Sequence, residues 1–177
     1  MNAFINMLLV AAVASLFAVQ DAHTEERTMD MLQITSPVFP QNGMIPSKFT
    51  CDGADVSPTL SIANIPEKTR SLALIVDDPD APAGTWVHWV VWNIGAGTKE
   101  ILEDSVPQGA IQGKNDFGKQ GYGGPCPPSG THRYYFKLYA LDAPLALKSG
   151  ATKAQTEEAM KGHVLARAEL IGLYRRK

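Results

Sequence analysis

Acidic residues and prolines crowd together in the segment Asp77-Asp78-Pro79-Asp80-Ala81-Pro82. Because Pro79 and Pro82 fix φ and lack an N–H, the loop that they form is stiff. A stiff loop holds the Asp78 and Asp80 carboxylates in place, where they could share a proton, bind a cation or orient a histidine. The segment also fits an Asx-Pro turn with solvated acids, and taken alone it favours that structural interpretation.

His88 lies in an aromatic and β-branched run that is typical of a strand, Trp86-Val87-His88-Trp89-Val90-Val91-Trp92-Asn93-Ile94. Strict alternation puts Trp86, His88, Val90 and Trp92 on one face and Val87, Trp89 and Val91 on the other. Both faces are apolar, so we expect both to be covered. A lone histidine on such a strand is more often a core residue than a functional one, unless a nearby aspartate fixes its tautomer and keeps it charged.

A third segment, Gly121-Tyr122-Gly123-Gly124-Pro125-Cys126-Pro127-Pro128-Ser129-Gly130-Thr131-His132-Arg133-Tyr134, is dense in glycine and proline. Turns of this composition expose backbone N–H groups and can bind anions. His132 follows the turn as a further donor, and Tyr134 lies two residues on, along the same strand face. No Gly-Lys-Ser/Thr follows, so this is not a Walker loop. From composition alone, a structural loop and a binding loop remain equally good interpretations.

Strand patterns dominate the sequence around these segments. The predicted strands are Leu32–Thr35, Ser57–Ile62, Ser71–Val76, Trp86–Ile94 and Arg133–Leu141. Ser71–Val76 is an apolar run and is predicted to be central and buried. Residues 95–130 are predicted to be a long irregular region, ordered by apolar anchors. Short strands with Gly/Pro turns indicate an all-β fold, a β-sandwich of antiparallel sheets.

The C-terminal region is the one part of the sequence that predicts a helix. Thr152 is the predicted N-cap, and Gln155 completes a capping box. Apolar and small residues then recur at helical spacing: Ala159, His163, Ala166 and Leu170. Gly162 weakens this helix by about 1 kcal/mol relative to alanine, so a break at that residue is expected.

Composition indicates one globular domain. The chain has 177 residues, of which 45% are hydrophobic and 19% charged, and a formal net charge of -2. The one basic cluster is the terminal Arg175-Arg176-Lys177, so we expect no nucleic-acid partner.

Residues 1–20 predict a signal peptide. Ala3–Val19 is apolar, short for a membrane span and suitable for a signal-peptide core. No Lys or Arg precedes it, and a translation start at Met29 or Met31 is the alternative. We therefore predict a signal peptide over 1–20, a linker over 21–31 and a folded domain over 32–177. This predicts a periplasmic or secreted protein, or a cytoplasmic one if translation starts at Met29 or Met31.

The sequence contains two cysteines, Cys51 and Cys126. In an exported domain they could form one disulfide, and two buried thiols are the alternative. Two cysteines without further His/Cys spacing do not make a zinc site. We predict no metal and no cofactor.

Several motifs together resemble the phosphatidylethanolamine-binding family. They are Asp78-Pro79-Asp80-Ala81-Pro82, Trp86-x-His88-Trp89 and Gly124-Pro125-x-Pro127-Pro128-x-Gly130-Thr131-His132-Arg133-Tyr134, in the family's order. Its bacterial, Raf-kinase-inhibitor-like branch is similar at Cys51-Asp52-Gly53-x-Asp55-x-Ser57-Pro58, Asn115-Asp116-Phe117-Gly118 and Gly162-His163-Val164-Leu165-Ala166. The resemblance covers roughly Leu32 to Arg176. It implies a β-sandwich with Greek-key connections and C-terminal helical material.

The resemblance also implies a pocket for phosphate-like or acetate-like anions and phosphorylated head groups. The implied ligand-binding residues are Asp78, Asp80, Trp86, His88, Gly124, Pro125, Pro127, His132 and Tyr134. Asp78 and His88 would line the pocket, and His132 and Tyr134 would close its other side. Asp80 would support the loop, Trp86 would form a wall, and the backbone of the Gly124–Pro128 turn would supply donors. A Cys51–Cys126 disulfide would pin the pocket mouth.

We therefore expect a binding protein for a small anion or a phosphorylated head group, and not an enzyme. Membrane contact would occur at most through lipid head groups, since no amphipathic helix or polybasic patch is present. Similarity to the bacterial branch also suggests a homodimer. The main alternative is an inhibitor or signalling modulator of a kinase or a protease.

A hydrolase that uses Asp78, His88 and His132 is the less favoured alternative. Ser129 and Thr131 do not lie in a nucleophile elbow. Cys126 would serve as a nucleophile only if it were reduced, ionised and accessible.

Overall fold

The computed structural model of the chain describes residues 31–176. Its strands are β1 Gln33–Thr35, β2 Gly43–Met44, β3 Leu60–Ala63, β4 Ser71–Asp78, β5 Trp86–Gly95, β6 Glu100–Ile101, β7 Ile111–Gln112, β8 His132–Leu141 and β9 Val164–Tyr174, with a 3₁₀ turn at Ser47–Phe49 and helix α1 at Lys153–Met160. The predicted signal peptide lies outside the described residues, as does the predicted linker apart from Met31. No helix within residues 31–176 is long and apolar enough to cross a membrane.

The strands form two sheets. The larger has the order β2-β9-β8-β4-β5-β7 and the smaller the order β1-β3-β6. All neighbouring strands are antiparallel except β2 and β9, which pair in parallel. Strand β8 returns beside β4, so β8-β4-β5-β7 has the spatial order of a Greek key, although β6 interrupts the connection from β5 to β7. The predicted all-β sandwich is confirmed, with a mixed rather than purely antiparallel large sheet.

Strand β4 is buried along its whole length, as predicted for Ser71–Val76. It lies between β5 and β8, and its alternate side chains enter two apolar clusters. Leu72, Leu74 and Val76 pack in the cluster between the sheets. Ala73 and Ile75 pack on the opposite face, in a cluster that includes Met160 of α1. Coverage on both faces explains the continuous apolar run.

Strand β5 departs from the predicted strict alternation at His88. Val76 of β4 pairs with Trp89, whereas Asp77 pairs with Val87, so the register skips His88. As a result, Val87 packs in the same cluster as Val90 and Trp92, not with Trp89 and Val91 as predicted. His88 instead packs against Tyr134. Such bulges often re-aim a side chain beside a functional site.

The C-terminal prediction is correct at its start and wrong beyond Met160. The capping box of Thr152 and Gln155 forms, and α1 begins at Lys153. Residues 164–174, however, form β9, so Ala166 and Leu170 lie on a strand. Gly162 takes φ +80° and turns the chain back toward β8. Pairing with all of β8 outweighs the weak helical periodicity.

The predicted irregular region, residues 95–130, has only the two-residue strands β6 and β7. Ile101 anchors it in the core between the sheets, as predicted. Strand β3 begins at Leu60 rather than at Ser57, since Pro58 cannot donate to a sheet ladder.

Leu74→Ala is expected to lower the free energy of unfolding by about 2–5 kcal/mol, because it leaves a cavity at a fully buried position. Leu102→Ala is the matched control: Leu102 is 58% exposed, so its truncation should change stability by less than about 0.5 kcal/mol. Urea unfolding followed by tryptophan fluorescence measures both. Equal effects of the two substitutions would contradict the assignment of β4 as the central strand.

Candidate ligand-binding cavity

Asp78, the last residue of β4, holds a buried carboxylate. Its Oδ2 accepts a hydrogen bond from Nδ1 of His132 at 2.7 Å, and its Oδ1 accepts one from the backbone N–H of Asp80 at 2.8 Å. Asp78 is 3% and His132 7% exposed. A buried carboxylate is tolerated only when it is paired in this way. The pair therefore joins the end of β4 to the start of β8.

Asp80 fixes the loop that follows Asp78. Its two carboxylate oxygens accept hydrogen bonds from Nε and Nη2 of Arg133 at 2.9 and 2.6 Å, and Oδ2 also accepts the Arg133 backbone N–H. These bonds to Arg133 lower the pKa of Asp80 from 3.8 to about 2. The predicted supporting position of Asp80 matches this geometry.

His88 is held by the chain segment opposite it. Its Nδ1 donates to the carbonyl of Gly123 at 2.6 Å, and the Gly123 N–H donates to the His88 carbonyl at 3.0 Å. Burial lowers the pKa of His88 below its ordinary 6.5, although the Gly123 carbonyl and Asp78 oppose the shift. His88 is therefore neutral at pH 7, with Nε2 as an acceptor. Asp78, whose carboxylate lies in the same cavity lining, pairs with His132 and not with His88.

A cavity of about 280 Å³ opens beside these groups. Asp78 and His88 lie in its lining, with Ala81, Pro82 and Ala83 from the loop after β4. Trp86, Phe117, Cys126, Pro127 and Pro128 complete the walls. Of the predicted site residues, the structure thus brings Asp78, Trp86, His88 and Pro127 to the lining.

His132 and Tyr134, which were expected to close the other side of the pocket, are not among the lining residues but contact Asp78 and His88, which are. His132 is turned toward Asp78, and the Tyr134 ring packs edge-on against His88 with centroids 5.1 Å apart. The Tyr134 hydroxyl is buried and makes no hydrogen bond within the described residues. Burial raises the pKa of Tyr134, Asp78 acts in the same direction, and the backbone of Cys126 opposes it. The hydroxyl is therefore a protonated, unused donor.

The Gly-Pro turn supplies fewer donors than expected. The Gly124 N–H already donates to Oδ1 of Asp55 at 2.7 Å. Pro125, Pro127 and Pro128 have no N–H, and the remaining N–H of the turn, that of Cys126, lies beside the Tyr134 hydroxyl and acts to lower its pKa. A Cβ on Gly124 would lie 2.5 Å from Asp55 Oδ1, and glycine is therefore required for this contact.

The turn is braced by the segment around the 3₁₀ helix. Cys51 and Cys126 are joined by a disulfide with their Cα atoms 5.4 Å apart. The Cys51 N–H donates to the carbonyl of Pro125 at 3.1 Å, and the Tyr122 hydroxyl donates to the carbonyl of Phe49 at 2.8 Å. Together with the bond from Gly124, these links fix the wall of the cavity that contains Cys126.

Comparison with known proteins agrees with this architecture. A family model described as "Phosphatidylethanolamine-binding protein" matches residues 35–175. The chain belongs to this family. A UPF0098 protein of Methanothermobacter thermautotrophicus is 53% identical over 150 residues, which cover 82% of this chain and 99% of that protein. A UPF0098 protein of Pyrococcus horikoshii is 52% identical over 151 residues, 80% of this chain and 76% of that protein.

Two crystal structures of family members are similar to this one. That of a putative phosphatidylethanolamine-binding protein homolog from Chlamydia trachomatis has a TM-score of 0.81 and 43% sequence identity, and covers 84% of this chain and 99% of its own. That of Escherichia coli YbcL, described as a new member of the mammalian PEBP family, has a TM-score of 0.78 and 34% identity, and covers 82% of this chain and 99% of its own.

Phe117 is a cavity residue that the sequence analysis did not include in the site. Its ring packs edge-on against His88 and Trp86, with centroids 5.4 and 5.5 Å away. The available signal was its place in the Asn115-Asp116-Phe117-Gly118 motif. The Asp116 N–H donates to the carbonyl of Val87 in β5, and the Asp116 carboxylate accepts a hydrogen bond from the Val87 N–H. These two bonds place the next residue, Phe117, beside His88.

Residues 31–176 contain no group of three or more His, Cys, Asp or Glu side chains that could hold a metal. Near the lining, the Tyr134 hydroxyl can donate a hydrogen bond and Nε2 of His88 can accept one.

Reduction of the Cys51–Cys126 disulfide is expected to lower the free energy of unfolding by about 2–4 kcal/mol, because the bond closes a loop with a sequence separation of 75. Urea unfolding with and without dithiothreitol measures the effect. The Cys51→Ser/Cys126→Ser variant is the control and should not respond to dithiothreitol. Titration of two free thiols in unreduced, denatured protein would contradict the pairing.

The ion pair of Asp80 with Arg133 is expected to make the free energy of unfolding depend on pH in the acidic range. Because Arg133 lowers its folded pKa to about 2, the pair stabilises the protein above pH 4, and this stability is lost as the pH falls toward 2. Asp80→Asn should therefore lose about 1 kcal/mol at pH 7, after allowance for partial exposure, and less at pH 2. Urea unfolding at several pH values tests this. Glu158→Gln, which removes an exposed carboxylate paired with Lys161, is the control. A constant difference between Asp80→Asn and wild type across this pH range would contradict the prediction.

Proposed function

We propose that this family member binds a phosphorylated head group or a similar small anion in the cavity lined by Asp78 and His88. The Tyr134 hydroxyl carries this proposal, because it is buried, protonated and donates to no acceptor within residues 31–176. A buried hydroxyl that forms no bond costs about 1–3 kcal/mol of stability. A ligand oxygen that accepts from it removes this cost on binding.

The groups around the cavity complement a phosphate ester. An oxygen of the ester can accept from the Tyr134 hydroxyl, and a protonated phosphate oxygen can donate to Nε2 of neutral His88. The Asp78–His132 pair holds the end of β4 beside these groups. His132 therefore acts as a positioning residue for Asp78.

Binding is favoured over hydrolysis because the candidate nucleophiles are unsuitable. Cys126 is bonded to Cys51 and has no thiolate. The hydroxyls of Ser129 and Thr131 form no hydrogen bond with His88 or His132 in the part of the chain that the structure describes. A nucleophile needs such a base within reach.

The disulfide also supports export as the proposed location. Disulfides persist in oxidising compartments and are rare in the cytosol of mesophiles. Inhibition of a kinase or a protease, and formation of a homodimer, remain predictions.

Isothermal titration of phosphate and phosphoethanolamine into the full chain tests the proposal. Tyr134→Phe is expected to weaken binding about tenfold or more, the effect of losing one hydrogen bond to a charged group. Because the hydroxyl donates to no acceptor among the residues that the structure describes, this variant should be as stable as wild type or slightly more stable.

Tyr135→Phe is the matched control, since Tyr135 is the next residue of β8 and packs near Arg133 and Lys137 instead. It should bind like wild type. Equal affinities of wild type, Tyr134→Phe and Tyr135→Phe would contradict the proposal that the Tyr134 hydroxyl donates to the ligand. No saturable heat from either ligand, with intact folding, would contradict head-group and anion binding.

A further inference from the structure

Four aromatic rings form a continuous row from the core to the mouth of the cavity. Tyr134 packs on His88 at 5.1 Å, and His88 packs on Phe117 at 5.4 Å. Phe117 packs on Trp86 at 5.5 Å, and each contact is edge-to-face. The row begins at the buried Tyr134 and ends at Trp86, and Phe117 beside Trp86 is 40% exposed. Its inner end is polar and its outer end apolar.

The walls of the cavity offer little charge to an anion. Asp78 is the one charged side chain among the lining residues that the structure describes, because burial keeps His88 neutral. A free phosphate dianion would lose its hydration there without meeting a lysine or arginine, and this desolvation opposes binding. Removing apolar surface from water supplies the compensating free energy. The outer walls, built from proline, alanine and aromatic side chains, are suited to that contact.

Phe117 is held in place from two directions. The Asp116 N–H donates to the carbonyl of Val87 at 2.9 Å, and the Asp116 carboxylate accepts the Val87 N–H at 2.8 Å. On the other side, a Cβ on Gly123 would lie 2.6 Å from the Phe117 ring. The ring therefore has a defined position even though it is partly exposed.

We infer that the cavity selects phosphate monoesters that carry an apolar group, and that Phe117 determines this selectivity. The phosphate lies toward the Tyr134 hydroxyl, and the apolar group packs against Phe117 and Trp86. The inference rests on the proposed anion-binding function, and it goes further by assigning the ligand class and the residue that distinguishes one ester from another.

A series of three ligands tests the inference by isothermal titration into the full chain: inorganic phosphate, methyl phosphate and phenyl phosphate. Wild type is expected to bind phenyl phosphate at least about tenfold more tightly than methyl phosphate, the effect of burying much of a ring. Phe117→Ala should reduce this ratio to near one. Phe117→Tyr, which keeps the ring, should retain it.

Leu102→Ala is the control for removal of an exposed apolar side chain, because Leu102 does not line the cavity. It should bind all three ligands like wild type. Thermal unfolding of each variant confirms that the protein remains folded.

The outcomes separate the inference from the function on which it rests. Equal binding of methyl and phenyl phosphate by wild type would overturn the inference and leave anion binding intact. A phenyl preference that survives in Phe117→Ala would overturn the part assigned to Phe117. Failure of every ligand to bind would overturn the inference together with the proposed function.

Discussion

The buried carboxylate of Asp78 is the constraint on which the site depends. A charge at this depth is stable only with hydrogen-bond donors on its oxygens, and the protein supplies two. The donor from His132 fixes where β8 begins, and the N–H of Asp80 fixes the stiff loop after β4. Asp80 then binds Arg133, so the loop and β8 are joined a second time. The cavity lies between elements that these bonds hold at a set distance.

The preceding residue secures the same strand end from its other face. Asp77 is fully buried and lies 2.7 Å from the ammonium of Lys137 and 3.0 Å from that of Lys153 in α1. Alternation along β4 thus sends two adjacent carboxylates to opposite sides of the sheet. Each carboxylate has its own hydrogen-bond or ion-pair partners, so the two do not compete for one site. Helix α1, remote from the cavity in sequence, thereby helps to hold Asp78 in position.

The sequence was informative where local chemistry decides structure. The capping box of α1 and the apolar run of β4 depend on nearby residues, and both were predictable. The bulge at His88 was not, because it arises from how β5 pairs with β4. The residues of β9 were predicted to be helical because small residues fit both the helical and the strand periodicity. Pairing with β8, which the sequence does not reveal, decides in favour of a strand. The Gly124 N–H was expected to donate to a ligand, because its acceptor in the fold, Asp55, is distant in sequence.

Two tyrosines, the partly buried Tyr122 and the buried Tyr134, differ in their hydrogen bonds. Burial raises the pKa of both Tyr122 and Tyr134, so both keep their protons. Tyr122 donates to the carbonyl of Phe49 and thereby braces the Gly-Pro turn. Tyr134 has no such acceptor, and its ring contacts His88 in the cavity lining. An unpaired buried hydroxyl destabilises the free protein. A ligand that accepts a hydrogen bond from Tyr134 removes this cost, and its affinity is higher for that reason. This asymmetry is the reason why we propose that the anionic end of the ligand lies toward Tyr134.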